Sequence, residues 1–272
     1  MNGQFSTRVI TLMPVAIAIN IVLGVTVQQV LKLPIYLDSI GTILVGVLAG
    51  PLAGALTGIL TNLIWQYAPG IGGGTIGPFA VVAGVIGLLA GLWGQFGVYR
   101  SRPANGWQLW GPALAAVAII VLLASRIYGN PVYDDPDFFV PWYSTAILIT
   151  AIAMSAAVLA YVWLKRDAAG AWVAVAGAVT GIVAAIVSAP ISAYVFGGVT
   201  GGGTDVIVAA LRQGGADVLS ASLGQGFFSD PIDKTITSFV VFIIIAGLSP
   251  RLLARFPNGE RLVRPEPTTR SW

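Results

Sequence analysis

The sequence predicts an all-α integral membrane protein, a helical bundle of about eight transmembrane helices. Of its 272 residues, 56% are hydrophobic and only 9% are charged, and the mean hydropathy is +0.86. A soluble globular chain carries about 25% charged residues, so this composition is typical of a chain buried in lipid. We therefore expect one transmembrane domain, over residues 1–256.

The predicted spans are separated by turns rich in Gly and Pro and by charged segments. They cover residues 7–31, 37–49, 51–67, 77–98, 109–128, 141–164, 171–196 and 235–254. Residues 197–234 are predicted to form an extracellular loop or re-entrant segment, with a short helix over 205–211 capped by Thr204. Residues 257–272 are predicted to form a basic cytoplasmic tail.

The distribution of charge predicts the orientation of the chain. Basic residues follow spans four and six, at Arg100, Arg102, Lys165 and Arg166, and more arginines lie in the tail. With eight spans, most of the 14 Lys and Arg lie on one side and most of the 11 acidic residues on the other. Because basic loops stay in the cytoplasm, both termini are expected inside.

The chain contains no Cys and no His. Their absence removes thiolate nucleophiles, disulfides, the usual general base and the commonest metal ligand. No motif places a nucleophile beside a base, and no residues have the spacing of a metal site. The sequence therefore predicts a protein that is not an enzyme and that binds no cofactor, no metal and no nucleic acid.

A small-molecule site is predicted at the outer ends of the helices. The stretch LPIYLDSIGTILVGVLAGPLAGALTGILTNLIWQY, residues 33–67, is expected to form a helical hairpin whose polar residues lie at one membrane surface. The segment SDPIDKTITSF adds acids and a lysine at the predicted outer mouth of the last span. The candidate binding residues are Asp38, Asn62, Trp65, Gln66, Asp205, Asp230, Asp233 and Lys234.

Structural roles compete with binding at several of these positions. Asp230 precedes a proline, the typical order of a helix N-cap and the first helical residue, and Asp38 also opens a helix. Trp65 fits an interfacial aromatic belt as well. Asp233 and Lys234 lie deeper, where an unpaired charge is costly, so we expect them to pair with each other, with Asp38 or with a ligand.

Small residues recur at four-residue spacing in two neighbouring spans. This spacing lets membrane helices approach closely, so it predicts either internal packing or a smooth face on which another membrane subunit docks. The two ladders are Gly50, Gly54 and Gly58 in one span and Ala83, Gly87 and Gly91 in the next.

Two segments are near copies of each other. AGALTGIL over 53–60 and AGAVTGIV over 176–183 are each followed by a GGGT sequence. They indicate either a parallel internal repeat, as many transporters have, or only the shared composition of small-residue helices and glycine loops.

The first part of the chain resembles the substrate-binding S components of energy-coupling factor (ECF) vitamin transporters. The resemblance lies in a first helix, the LPIYLDSIGTILVGVLAGPLAGALTGILTNLIW hairpin, a Gly-rich loop and a fourth helix beginning GPFAVVAG, over residues 7–98. It extends to spans 171–196 and 235–254. It implies a subunit that captures a vitamin or similar micronutrient from outside and topples in the bilayer against a coupling transmembrane protein driven by ATPase subunits.

The resemblance also implies roles for particular positions. It places the binding site in the loop after the first helix, which adds Tyr36 to the candidates, and at the outer ends of the last helices. The family usually has six helices, so spans 109–128 and 141–164 look like an inserted pair. The predicted docking residues are Gly50, Gly54 and Gly58 together with Ala16, Asn20 and Gly24, which replace an Ala-x-x-x-Ala motif.

Two other functions compete with capture of a micronutrient. A self-sufficient secondary transporter requires a coupling ion and usually a deeply buried acid, whereas the acids are predicted at the outer ends. A sensory or scaffold domain requires an output partner.

The chain has no Walker motif, so any energy from ATP hydrolysis is expected to come from a partner. Acids with one lysine suit a cationic or zwitterionic ligand slightly better than an anion.

Overall fold

The structure is a computed structural model that describes residues 3–30, 35–68, 76–125 and 143–263. Within these ranges the regular elements are helices, and the predicted all-α class is confirmed. The helices are α1 (Thr7–Gly24), which continues as a π-helix over Val25–Val30, α2 (Ile40–Ala49), α3 (Pro51–Tyr67), α4 (Ala80–Gln95, after a 3₁₀ turn over Gly77–Phe79), α5 (Trp107–Ser125), α6 (Tyr143–Lys165), α7 (Ala169–Phe196), α8 (Asp205–Gln213), α9 (Val218–Gly247), α10 (Pro250–Leu253) and α11 (Gly259–Leu262).

Several helices have the length and composition of membrane spans. Among the described residues, three are long and apolar enough to cross a membrane, namely Thr7–Gln28, Gly77–Gln95 and Ala169–Phe196. Shorter apolar helices cover Ile40–Ala49, Trp107–Leu122 and Ala151–Lys165. These helices support association with a membrane, while the count of eight spans and the orientation stay predictions.

Helix α9 begins much earlier than the sequence predicts. Its N-cap is Asp217, whose carboxylate accepts hydrogen bonds from the backbone N–H groups two and three residues further on. From there the helix runs for 30 residues to Gly247, through Pro231. A helix start at Asp230 is therefore wrong, and the short helix after Thr204 is present as α8. That residues 197–234 form an extracellular or re-entrant segment stays a prediction.

Helix α9 continues through Pro231. Proline has no backbone N–H, so the carbonyl four residues earlier, at Phe227, loses its intrahelical partner. The hydroxyl of Thr235 donates a separate hydrogen bond of 2.7 Å to the carbonyl of Pro231 itself. Packing against neighbouring helices allows proline inside a membrane helix. The sequence pattern of an acid followed by proline indicated a helix start, but tertiary packing keeps this segment helical.

The contact between α7 and α9 depends on glycine. A Cβ atom at Gly181 would overlap the backbone of Asp230 and Pro231, and one at Gly177 would overlap the backbone of Lys234. Both glycines lie in the segment AGAVTGIV. Because glycine has no side chain, the turn of α9 from Asp230 to Lys234 lies directly against α7. Small residues allow the same close approach between membrane helices in general.

The glycine ladders of α3 and α4 face each other inside the bundle. A Cβ atom on Gly87 would overlap the backbone of Gly54, and the internal-packing interpretation is confirmed. The six residues predicted to dock a partner are buried in this structure, and their docking role stays an untested prediction: Ala16, Asn20, Gly24, Gly50, Gly54 and Gly58.

Asn20 ties α1 to the hairpin formed by α2 and α3. Its side-chain amide donates to the hydroxyls of Thr42 at 2.8 Å and Thr61 at 3.2 Å. Its side-chain oxygen accepts from the backbone N–H of Gly41 at 2.7 Å. A polar residue in the middle of an apolar helix is thus fully paired, which removes the cost of burying it.

The helices α5 and α6 form a pair at the side of the bundle. Leu109 and Ala113 of α5 pack with Val158 and Val162 of α6, and the cluster extends to Ala171 of α7. The cavity described below is built without either helix. This arrangement fits an inserted pair, which stays a prediction.

The start of the predicted basic tail is folded against the bundle. Asn258 donates from its side chain to the carbonyl of Val47 and from its backbone to the carbonyl of Leu48, each at 3.0 Å. The guanidinium of Arg261 donates to the carbonyl of Gln95 at 2.8 Å. These bonds satisfy carbonyls at the C-terminal ends of α2 and α4, which a helix alone leaves unpaired. The end of the tail and the first GGGT sequence, at 72–75, lie outside the described residues.

We expect Gly87→Ala to destabilise the bundle by about 1–3 kcal/mol, because its methyl group forces α3 and α4 apart. Gly247→Ala is the matched control, since a Cβ atom there meets nothing within 4 Å. Thermal unfolding of both variants in detergent micelles measures the difference. Equal melting temperatures would contradict the assigned packing of α3 on α4.

Candidate functional site

A cavity lies where the chain between α1 and α2 meets the start of α8 and the middle of α9. It encloses about 840 Å³ of space outside the atoms, including open solvent at its mouth. Polar side chains from the loops, α3, α7 and α9 line it together with an apolar group. The apolar lining residues are Ile76, Phe79, Val82, Ala83 and Ile86.

Lys234 lies beside the cavity at the centre of a buried charged cluster. Its side chain is 3% exposed, and its ammonium nitrogen is 2.5 Å from a carboxylate oxygen of Asp233 and 3.6 Å from one of Asp38. The same nitrogen donates to the hydroxyl of Ser39 at 2.9 Å and lies 5.6 Å from the ring centroid of Tyr36. Of the alternatives expected for Asp233 and Lys234, pairing with each other and pairing of Lys234 with Asp38 are confirmed, and pairing with a ligand stays a prediction.

Asp233 also fixes the chain between α1 and α2. Its second carboxylate oxygen accepts hydrogen bonds from the backbone N–H groups of Tyr36 at 3.1 Å and Leu37 at 2.8 Å. Leu37 has a φ of +52°, in the left-handed region that a branched side chain rarely adopts. Asp233 is fully buried and is not part of the cavity lining, so in this structure it positions the loop and does not face the cavity.

Tyr36 joins three elements at the cavity. Its hydroxyl accepts a hydrogen bond from the side-chain amide of Gln225 on α9 at 2.9 Å and donates to the hydroxyl of Thr204 before α8 at 3.5 Å. Burial raises the pKa of Tyr36 above its ordinary range, so the phenol stays neutral near pH 7. The loop before α2 is thereby connected to both α8 and α9.

Asn62 and Gln66 hold the start of α4 against the end of α3. The side-chain oxygen of Gln66 accepts from the backbone N–H of Gly77 at 2.7 Å, and the amide of Asn62 donates to the carbonyl of Ile76 at 3.5 Å. Asn62 also lines the cavity, whereas Gln66 does not. Gln66 therefore supports the site from behind.

Trp65 and Asp205 have structural roles. Trp65 is 1% exposed and packs against Gly24, so the interpretation as an aromatic belt residue is wrong. Asp205 accepts hydrogen bonds from the backbone and hydroxyl of Thr200 at 2.9 and 2.7 Å and from the backbone of Gly201 at 2.6 Å. It shapes the turn before α8, which forms one edge of the cavity.

The structure thus brings most of the candidate binding residues to one place. Five line the cavity and the other four support it from behind. The lining residues are Tyr36, Asp38, Asn62, Asp230 and Lys234, and the supporting residues are Trp65, Gln66, Asp205 and Asp233. Whether the lining residues bind a ligand stays a prediction.

Sequence reasoning missed several polar lining residues. Gln28 donates to the carboxylate of Asp38 at 3.0 Å, from the π-helix that ends α1. Ser188 and Ser192 line the cavity one turn apart on α7, and Gln225 lies on α9. A helical reading of 218–234 would have revealed one polar face, since Ser222, Gln225, Ser229 and Asp233 recur every three or four residues.

Comparisons with protein-family models, with curated proteins and with solved structures find no match to this chain.

We expect Asp233→Asn and Lys234→Met each to destabilise the protein by about 3–5 kcal/mol, because each leaves buried charge without its partner. The double variant should cost less than the sum of the two by at least about 1 kcal/mol. Denaturant unfolding in micelles gives the coupling energy, with Asp217→Asn at an exposed helix cap as the control. Strictly additive costs would show that the two groups do not stabilise each other.

Proposed function

We propose that this chain is a membrane-embedded capture subunit for a vitamin-like small molecule, of the ECF type, in a bacterial or archaeal plasma membrane. The observation that carries the proposal is the cavity at one end of a bundle of apolar helices. It combines hydrogen-bonding side chains with an apolar group, which is the usual composition of a small-molecule site. The neutral polar groups that orient a ligand include Gln28, Asn62 and Gln225.

The two segments that border the cavity suit a site that opens and closes. The loop before α2 is held by Asp233, and the turn before α8 is held by Asp205. The hydroxyl of Tyr36 connects the two segments through Thr204. A ligand that enters between the two segments would have to break this hydrogen bond, which is long at 3.5 Å.

A capture subunit of this type needs a coupling membrane protein and ATPase subunits to complete transport. The buried glycine ladders are not accessible to such a partner. The accessible apolar surface of α1, which includes Val15, Ile19 and Val22, is the surface that we propose for contact with the coupling protein. Lipid covers this surface when the partner is absent.

The test begins with mass spectrometry of small molecules released from gently purified protein. A co-purifying compound that raises the melting temperature identifies the ligand and supports the capture function. Asn62→Leu should then weaken its binding about tenfold or more, because the cavity loses a hydrogen-bonding group.

Leu63→Ala is the control for this variant, since Leu63 is the neighbouring residue and is exposed on the outer side of α3. Its binding affinity should equal that of the wild type. Equal affinity in Asn62→Leu would remove Asn62 from the site.

A secondary transporter is the second candidate, and one observation favours it. Asp230 is 5% exposed and Asp233 is fully buried, and both lie in the interior of α9 and not at its outer end. Deeply buried acids are typical of ion-coupled transport. Uptake into liposomes that contain only this chain, driven by a proton or sodium gradient, would establish the second candidate and reject the first.

A further inference from the structure

The charges around the cavity are unbalanced. Asp38 and Asp230 line it, and Asp233 lies directly behind them. Lys234 is the basic residue among the described lining residues. With all of these groups ionised, three carboxylates face one ammonium, and the buried cluster has an excess of two negative charges. Such an excess is costly in a low-dielectric interior, and either a proton or another cation relieves it.

Lys234 is already paired with carboxylates of the protein. An ammonium group has three hydrogen-bond donors. Two of them go to Asp233 at 2.5 Å and to the hydroxyl of Ser39 at 2.9 Å. Asp38 lies at an ion-pair distance of 3.6 Å from the same nitrogen, so Lys234 acts as an internal counter-ion for two of the carboxylates.

Of the three carboxylates, Asp230 is the one that forms no ion pair with Lys234. It is 95% buried, since its exposed fraction is 5%, and it lines the cavity one helical turn before Lys234. Among the described residues, no Lys or Arg nitrogen lies within 4.0 Å of its carboxylate. Its hydrogen-bonding neighbour is the hydroxyl of Ser188, which also contacts the carbonyl of Ala185 at 3.2 Å. A carboxylate has about four acceptor sites, so Asp230 retains acceptor capacity toward the cavity.

The apolar lining indicates what else the ligand contains. Val82 and Ile86 of α4 line the cavity, as does Phe79, whose ring stacks on Phe196 at a centroid distance of 5.6 Å. These groups favour the body of an organic molecule. In the part of the chain that the structure describes, no group of three or more acidic side chains is arranged to hold a metal ion.

We propose that the ligand is a compact organic cation, a protonated amine or a cationic nitrogen heterocycle, with Asp230 as its counter-ion. Its charged nitrogen contacts Asp230 and its apolar body lies along Phe79, Val82 and Ile86. The proposal rests on the capture function above and adds the chemical class of the ligand. Asp38, Asp233 and Lys234 neutralise one another in part and hold the loop, while Asp230 supplies the recognition.

The test uses two sets of small-ring probes, and each set contains a cationic, a neutral and an anionic compound built on the same ring. Benzylamine, benzyl alcohol and benzoate form one set, and 3-(aminomethyl)pyridine, 3-pyridylmethanol and nicotinate form the other. The probes are mixed at equal millimolar concentration with the purified full chain in detergent. Equilibrium dialysis with mass spectrometry measures the retention of each, for the wild type, Asp230→Asn and Asp217→Asn. Asp217→Asn is the matched control, because Asp217 is an exposed N-cap outside the cavity and Asn caps a helix equally well.

We expect the wild type and Asp217→Asn to retain the cationic probes in preference to the neutral and anionic ones. Asp230→Asn should bind the same cations about 30-fold more weakly, because a buried charge pair is lost. The preference of the wild type among the three charge states tests the proposal even where Asp230→Asn fails to fold.

Retention of the carboxylates or the neutral probes in preference to the amines would overturn the charge assignment while leaving the capture function in place. Equal retention of the cations by Asp230→Asn, or no retention of any cation by the wild type, would also overturn it. Ion-driven uptake by the chain alone would instead reject the capture function.

Discussion

The contact between Lys234 and its two carboxylates is the constraint on which the site depends. An ammonium in the middle of an apolar bundle is stable only where carboxylates and hydroxyls surround it. Asp233 comes from the same turn of α9, and Asp38 is supplied by the loop before α2. The loop must therefore fold inward over α9, which places Tyr36 in the cavity lining. Glycines such as Gly177 allow α7 to approach the same turn.

Fold and site are consequently built from the same residues. Asp233 neutralises Lys234 and also holds the backbone of Leu37 in a strained conformation, so a change at Asp233 alters the shape of the cavity without removing a ligand contact. Trp65 and Asp205 act in the same indirect way, the first by filling the space beside Gly24 and the second by shaping the turn before α8. Loss of binding in a variant of these residues indicates a displaced loop.

The sequence predicts the helical class correctly and names residues that the structure gathers around one cavity, and it fails where tertiary contacts override local patterns. Hydropathy is a property of the helices themselves, and the cost of an unpaired charge predicts that Asp233 and Lys234 find partners. The start of α9 is missed because the glycine-rich, polar stretch before Pro231 has the local signals of a loop. Its helical conformation depends on close packing against α7, which glycines distant in sequence provide. The burial of Trp65 depends likewise on a glycine of α1.

The position of the acids changes the weight of the two candidate functions. Their predicted place at the outer ends of helices argued against ion coupling, and the structure moves Asp230 and Asp233 into the interior of α9. Burial alone does not make an acid an ion carrier, since Asp233 is committed to Lys234 and to the loop backbone. Among the described residues, Asp230 forms no ion pair with Lys234, and it faces a cavity that has an apolar lining. That lining suits an organic molecule better than a hydrated ion, which favours ligand capture over ion transport.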